Sequence, residues 1–487
     1  MKQYFDKTKK YAIATDGEVF YAYTGTHYEV IDNTNLKVFI RYFAHKSGVY
    51  HLYADSFQYQ DTVLKNAFNF FILPGSDIDR SKRFLNLKNG TLRVQAKPNF
   101  DDNGEVINES LYQITEHDHT DFLKHCNEYE FKPEANCPKW EQFLRDVIKL
   151  PNYDGSDVTI DSPVNEANIK AIQEAFGYVL YSGSNPPKIF VFSGDGNNGK
   201  SVVNQVAHNL FGRNNVEGFT TGEMSQEYYR AKLVGKLLNY PAENDESGQI
   251  PAVLKAMASR EKVSYRSLFN NPEQSDNWPR IFLNQNSENR IVERAHGFWR
   301  RFFVIDFLVN IPPEKENKEL ANEILEEELP GILNWALAGL KRFHEQGKRF
   351  TESEQSKTSV DNWKKSGDSV QLFMEEFCLI PGKYGEADNL IEYKDLWDNF
   401  FNWQKQSGFK LINKSTFKTR LVKDLKIPFG KVKGGNKNAF YIACTNLNGE
   451  SELEVNFEKK AFPIIQESTP QPEPPQPENS QEDNLPF

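Results

Sequence analysis

A lysine and a serine closing a glycine-rich run carry the clearest chemistry in this sequence. Gly194-Asp195-Gly196-Asn197-Asn198-Gly199-Lys200-Ser201 has the spacing Gly-x4-Gly-Lys-Ser and follows the apolar run Ile189-Phe-Val-Phe-Ser193. Glycines there admit the backbone angles that let successive N–H groups wrap phosphate oxygens, and they put no Cβ in the way. Lys200 is set to reach the β and γ phosphates and Ser201 to hold Mg²⁺. The helix expected from Val202 to Phe211 adds its positive end. ATP and Mg²⁺ are the expected ligands.

Three further stretches carry groups suited to phosphoryl chemistry. Leu233-Val-Gly-Lys-Leu-Leu-Asn-Tyr-Pro-Ala-Glu243-Asn-Asp245 is an apolar run ending in acids, where one carboxylate can bind Mg²⁺ through water and another can polarise an attacking water. Arg280-Ile-Phe-Leu-Asn284-Gln-Asn286 ends in amides that can orient water or contact the γ phosphate. Asn284 and Asn286 share a face of a regular strand, so spacing alone does not choose between them. Gly297-Phe-Trp-Arg300-Arg301 sets two arginines before a third apolar run, a place from which a neighbouring subunit's γ phosphate can be neutralised.

The elements that must position these groups follow from pattern. Strands alternating with helical stretches predict an α/β fold, a P-loop core of parallel sheet flanked by helices over 186–345. Before it, 1–84 reads as a small α/β module rich in alternating aromatic residues. Residues 85–185 read as a helical, collar-like domain entered through the strand-turn-strand Phe84-Leu-Asn-Leu-Lys-Asn-Gly-Thr-Leu92, with helix from about Thr120 onward. After the core come a helical linker over 346–388 and a helix-helix-hairpin pattern over 389–445 that predicts a winged-helix module. An acidic, Pro-rich tail over 446–487 is expected to be disordered. The length of 487 residues allows about three or four such domains.

The net charge of −10 is uneven. Glu467, Glu473, Glu478, Glu482 and Asp483 lie in the stretch from Gln466 onward, which has no lysine or arginine, and account for half of it. The stretch Lys410 to Lys437 is basic, and a local patch rather than the total decides where a phosphate backbone docks. The four cysteines, Cys126, Cys137, Cys378 and Cys444, form no Cys-x-x-Cys pair, so neither a disulfide framework nor a zinc site is expected. No run reaches membrane-spanning length and the first residues lack a signal-peptide core, so a cytoplasmic setting is expected.

Taken in order, Gly-Asp-Gly-Asn-Asn-Gly-Lys-Ser, then Gly235-Lys-Leu-Leu with Glu243, then Lys255, Asn286 and Gly297-Phe-Trp-Arg-Arg resemble the superfamily 3 helicases of the poxvirus, phage and plasmid primase-helicase type. The resemblance extends to Leu85-Asn-Leu-Lys-Asn-Gly-Thr-Leu and Asn136-Cys-Pro-Lys-Trp-Glu-Gln-Phe-Leu. It implies that Lys200 and Ser201 bind ATP and Mg²⁺, that Glu243 is the catalytic acid and a Mg²⁺ contact, and that Asn286 senses the γ phosphate. Arg300 or Arg301 would be the finger supplied in trans. The acids here read Glu-Asn-Asp rather than adjacent. A DNA-contacting hairpin is implied over Lys262 to Asn271, with Lys255, Lys262, Arg266 and Phe269 as contacts by charge and stacking. In the winged-helix segment, Lys414, Lys418, Arg420 and Lys423 on the second helix and Lys431 and Lys433 on the wing are expected to meet duplex phosphates.

The last residues, Glu482-Asp483-Asn-Leu485-Pro486-Phe487, resemble the acidic tip of bacterial single-strand DNA-binding proteins, which implies a tail that recruits host genome-maintenance proteins. The whole is expected to be a replicative, ring-forming and hexameric ATP-dependent DNA helicase. It would move on single-stranded and forked DNA in the bacterial cytoplasm, serving phage- or plasmid-type replication without a primase domain of its own. Competing expectations are an initiator or packaging ATPase that remodels DNA complexes without separating strands, and a DNA-binding scaffold whose nucleotide site controls assembly.

Overall fold

The structure is a computed structural model. It describes residues 13–15, 19–71, 83–94, 99–100, 106–108, 111–152, 156–183, 186–244, 252–268, 270–286, 299–377, 390–407, 409, 411–427, 429–431 and 438–441. The chain divides into two compact units, Met1–Gly367 and Asp368–Phe487.

The first unit opens with an antiparallel sheet of β1 (Ile13–Thr15), β2 (Phe20–Tyr23) and β3 (Tyr28–Ile31), followed by helices α1 (Asn33–Lys46), α2 (His51–Ala54) and α3 (Phe57–Phe71). Asp32 starts α1 by accepting from the Asn35 amide at 2.8 Å, which satisfies one of the helix's unpaired N–H groups. Leu36, Ile40 and Ala44 fall on one face of α1 and are buried. Phe20, Leu36, Ile40 and Leu64 form this module's core.

A second antiparallel sheet, β4 (Leu85–Leu87), β5 (Gly90–Val94) and β6 (Tyr112–Thr115), comes next. The helical segment expected from about Thr120 is helical only from Pro138. The run between them holds a single 3₁₀ turn at His119–Asp121 among the described residues. Its backbone is engaged by the hairpin instead: Asn127 N donates to Asn86 O at 2.8 Å and Lys88 N to Tyr129 O at 3.1 Å. Asn89 binds the Phe131 amide and carbonyl, each at 2.9 Å. Pro133 and Pro138 restrict helix through the rest.

Helix α4 (Pro138–Val147) lacks a side-chain cap of its own. Glu328 supplies it from across the fold, accepting from the Lys139 and Trp140 amides at 2.9 Å each. Helix α5 (Glu166–Leu180) packs on α11 (Leu329–Glu345), and two glycines set their approach. A Cβ on Gly177 would lie 2.4 Å from the Ala336 carbonyl, and one on Gly339 would lie 2.3 Å from that of Gln173. Glu174 of α5 is fully buried and ion-paired to Arg342 Nε of α11 at 2.6 Å.

The core sheet is five-stranded and parallel, ordered β8 (Val216–Glu217), β9 (Leu238–Asn239), β12 (Arg280–Gln285), β7 (Ile189–Ser193) and β13 (Phe302–Asp306). Ile189, Val191, Ile281, Leu283, Phe302 and Val304 face one hydrophobic cluster. Phe190, Phe192, Phe282, Phe303 and Ile305 face the other. Burial of both faces is why these strands read as unbroken apolar runs rather than alternating ones. Helix α6 (Lys200–Phe211) follows β7, and the short helices α7 (Thr221–Met224), α8 (Glu227–Leu233) and α9 (Ala252–Ala258) flank β9 in sequence. A two-stranded hairpin, β10 (Val263–Tyr265) and β11 (Glu273–Ser275), precedes β12. Helix α10 (Leu320–Glu327) leads into α11.

The expected linker 346–388 is divided between the units. Helix α12 (Glu354–Ser366) belongs to the first, with Trp363 in its core, whereas Val370, Phe373 and Met374 of α13 (Ser369–Phe377) are core residues of the second. The second unit continues with β14 (Leu390–Glu392), α14 (Tyr393–Gln406), α15 (Lys414–Lys423), β15 (Phe429–Lys431) and β16 (Asn438–Tyr441). Its antiparallel sheet is ordered β14-β16-β15. Phe400 and Phe417 stack at 4.2 Å in its core.

Candidate nucleotide-binding site

At the C-terminal edge of the parallel sheet, β7 runs into the glycine-rich loop, which is anchored on both sides. Gly194 N donates to Gln285 O at 3.1 Å, and Phe307 N donates to Ser193 O at 2.7 Å. Gly194 lies against the chain so closely that a Cβ would sit 2.6 Å from the Phe307 carbonyl. Gly199 takes a left-handed conformation at φ 89° just before α6, with the Phe143 ring 2.9 Å from where a Cβ would be. Both positions therefore demand glycine. Asn197 exchanges bonds with Ile311, donating from Nδ2 to its carbonyl at 2.6 Å and accepting from its amide at 2.9 Å. Asn198 is buried, its amide group contacting Phe307 O and Lys200 N at 3.4 Å each.

Lys200 is buried at the first turn of α6, and its ammonium donates to the Gly194 carbonyl. Burial holds its pKa below the ordinary lysine value, while Asp195 and Glu243 pull it the other way. Ser201, next on the helix, is exposed.

The acidic stretch follows β9, and α6 holds its start. Asn204 Nδ2 donates to the carbonyls of Tyr240 at 3.0 Å and Pro241 at 3.3 Å, and a ring nitrogen of His208 is 2.8 Å from Tyr240 O. Strand β12 lies between β9 and β7, so its polar end falls between the acids and the phosphate loop. Asn284 is buried there, donating to Ala242 O at 2.9 Å and accepting from the Tyr240 hydroxyl at 3.0 Å. Asn286 is exposed at the strand end. Both asparagines line the cleft, but they differ in engagement: the Asn284 amide is bonded to the acidic stretch, whereas Asn286 is exposed. Asn244 accepts from Thr221 N at 2.9 Å and donates to Gln285 Oε1 at 3.0 Å. Asp245 lies outside the described residues.

Lys200, Ser201, Glu243 and Asn286 converge on one cleft of about 690 Å³, with Gly196 to Gly199 as its floor. Gly194 and Asp195 are not among its lining residues. The far rim went unrecognised in the sequence: Phe143, Val147 and Ile160 on one side, Lys315, Lys318 and Asn322 on the other. Phe143 and Val147 link that rim to the motif through Gly199, and contacts so distant in sequence leave no local signal. An enclosed ammonium, a glycine cradle and a facing carboxylate suit a nucleoside triphosphate with Mg²⁺.

The arginine pair lies elsewhere. Phe302 pairs with Ile189 and Asp306 with Ser193 in parallel register, so Arg300 and Arg301 stand at the opposite end of the strands from the phosphate loop, about 15 Å away at strand spacing. Arg300 is exposed, its carbonyl accepting from Lys188 Nζ at 2.9 Å. Arg301 is half-buried, and its guanidinium donates to the Ser259 hydroxyl at 3.0 and 3.1 Å.

Of the expected nucleic-acid contacts in the first unit, Lys255 is half-buried on α9, while Lys262 and Arg266 are exposed at the hairpin. Arg266 Nε donates to Asn270 O at 2.9 Å, and Phe269 lies outside the described residues. In the second unit Lys414 and Lys423 are exposed. Lys418 Nζ sits over the Phe429 ring at 3.9 Å. Arg420 does not stand free on that face: it is ion-paired to Asp368 and, at 2.9 Å, to Asp424. Helical spacing set it beside the lysines, but the acid that claims it is 52 residues away in sequence. Lys431 ends β15. Lys433 and the tail residues Asp483, Leu485, Pro486 and Phe487 lie outside the described residues.

Residues 1–149 match the family described as D5 N terminal like. Residues 192–301, which hold the phosphate loop and the arginine pair, match a family of unknown function, DUF5906. The apo structure of the NrS-1 C-terminal region is similar at 12% identity over 90% of this chain and 98% of that one, with a TM-score of 0.45. The structure of JCV helicase is similar at 11% identity over 49% and 71%, with a TM-score of 0.22. No helix among the described residues is long and apolar enough to cross a membrane.

Proposed function

We propose that this protein is an ATP-dependent replicative DNA helicase that works as a ring, each ATP site being completed by the next subunit. The observation that carries the reading is the split of the site across the sheet. Lys200, Ser201, Glu243 and Asn286 meet at one edge, and Arg300 and Arg301 stand at the other. An arginine that stabilises the transferring phosphoryl group must reach it. These two cannot reach their own cleft along the strand, and a neighbouring copy can present them. Lys200 and the loop amides would hold the phosphates, Ser201 and Glu243 the Mg²⁺. Asn286 would position the attacking water, with Glu243 as its proton acceptor. Mg²⁺ held by these residues would supply positive charge to the transferring phosphoryl group.

The second unit's order of helix, strand, two helices and two strands, with the last strand central, supports a winged-helix reading in which exposed Lys414 and Lys423 contact duplex phosphates. The tail ending in Asp483, Leu485, Pro486 and Phe487 is proposed to recruit host proteins of DNA maintenance. Phage- or plasmid-type replication in a bacterial cytoplasm is the proposed setting.

The test is unwinding of a forked duplex with ATP and Mg²⁺, set beside Lys200→Ala. Unwinding that disappears in the variant supports the proposal. ATP hydrolysis by an assembled protein without strand separation would overturn it in favour of a remodelling ATPase.

A further inference from the structure

The N-terminal module carries a second surface with chemistry of its own. Tyr42, Tyr50, Tyr53 and Phe57 are exposed by 57, 58, 67 and 70%. They follow one another from the last turns of α1, through α2, to the start of α3. Tyr42 lies away from the buried Leu36, Ile40 and Ala44 face of α1. The Tyr50 and Tyr53 rings stand 6.4 Å apart. Cations accompany them: Lys46 Nζ lies 5.4 Å from the Tyr42 ring centre, and Lys37 Nζ lies 4.0 Å from that of Phe57.

In a chain of net charge −10, residues 33–71 hold Lys37, Arg41, Lys46 and Lys65 against Asp55 and Asp61, with no glutamate. Both acids are already engaged, Asp55 by His45 at 2.8 Å and Asp61 by Lys37 and Lys65 at 3.2 and 3.0 Å. Arg41 and Lys46 therefore have no acidic partner among the described residues, and the surface keeps an excess of positive charge.

We infer that this face binds single-stranded nucleic acid, its bases stacking on Tyr42, Tyr50, Tyr53 and Phe57 and its phosphates meeting Arg41 and Lys46. Exposed aromatic rings beside cations that lack acidic partners are what an unpaired strand requires, and a duplex hides the base faces they would stack on. A second copy of the same face is disfavoured, because a self-complementary contact would set cation against cation. The inference stands apart from the nucleotide site, since it needs neither Lys200 nor ATP.

The test uses the full chain and a labelled thirty-nucleotide thymidine strand at low salt without nucleotide, comparing wild type with Tyr50→Ala/Tyr53→Ala/Phe57→Ala and with Tyr50→Phe/Tyr53→Phe. Removing three stacking rings should weaken binding by at least about tenfold, and the phenylalanine variant should retain it. DNA-independent ATP hydrolysis should be unchanged in both. A strand carrying 5-iodouracil should crosslink within residues 42–57. Unchanged affinity in the alanine variant, or adducts found only elsewhere in the chain, overturns the inference. So does a change in sedimentation without a change in DNA affinity, which would make this face a contact between copies. Loss of unwinding in Lys200→Ala with strand binding intact keeps this result separate from the helicase reading.

Discussion

Asn284 lies in β12 and Asn286 just past its end, and they differ in their surroundings. Asn286→Ala is expected to lower the rate of ATP hydrolysis by ten- to a hundredfold on the order of a lost water-positioning group, with the melting temperature unchanged. Asn284→Ala removes the amide that holds Ala242 and Tyr240. It should cost about 1–3 kcal/mol of stability, read by denaturant unfolding, and reduce activity only through displacement of Glu243. His125 gives a pH signature. Burial, with Lys236 and His27 nearby, lowers its pKa to about 4 from an ordinary value of 6.5. Below pH 6.5 the unfolded chain binds a proton that the folded chain refuses, so stability is fully present above 6.5 and falls as pH drops toward 4. His125→Gln should flatten that part of the stability curve, and an unchanged slope in urea titrations across that range would contradict it. At this scale the phosphate loop was legible because its function depends on consecutive residues. The Asn pair was not, because what divides them is a carbonyl brought in from the stretch that follows β9.

Among the elements, the crossing of α5 and α11 is set by absence of side chain. Gly177 and Gly339 each face a carbonyl of the other helix at a distance no methyl group tolerates. Gly177→Ala and Gly339→Ala should each destabilise the first unit by about 1–3 kcal/mol, although alanine favours helix, because packing strain outweighs propensity. Thermal melts that rise instead would disprove the close contact. Taken alone, the sequence reads these glycines as weak points in two amphipathic helices. Apolar strands, by contrast, announced themselves through their own residues, as in Ile189-Phe-Val-Phe and Phe302-Phe-Val-Ile. The stretch 122–137 misled because its pairing partners, Asn86, Lys88 and Asn89, lie well upstream.

For the molecule as a whole, the order of motifs along the chain was readable, whereas the strand order that sets them around one cleft arises only on folding. The same order leaves Arg300 and Arg301 at the far end of β13. If neighbouring copies complete each other's sites, two inactive variants should rescue one another: Lys200→Ala subunits still offer arginines, and Arg300→Ala/Arg301→Ala subunits still offer an intact loop. In an equal mixture allowed to exchange, about one interface in four would be whole, by the statistics of a closed ring. ATP hydrolysis should return to a mixture of proteins that are each inert, and a mixture that stays inert would show that the arginines serve no neighbour. In such a ring inheritance would change too: a damaged copy of the gene would not be silent beside an intact one, because every defective subunit that entered the assembly would spoil a site belonging in part to its healthy neighbour.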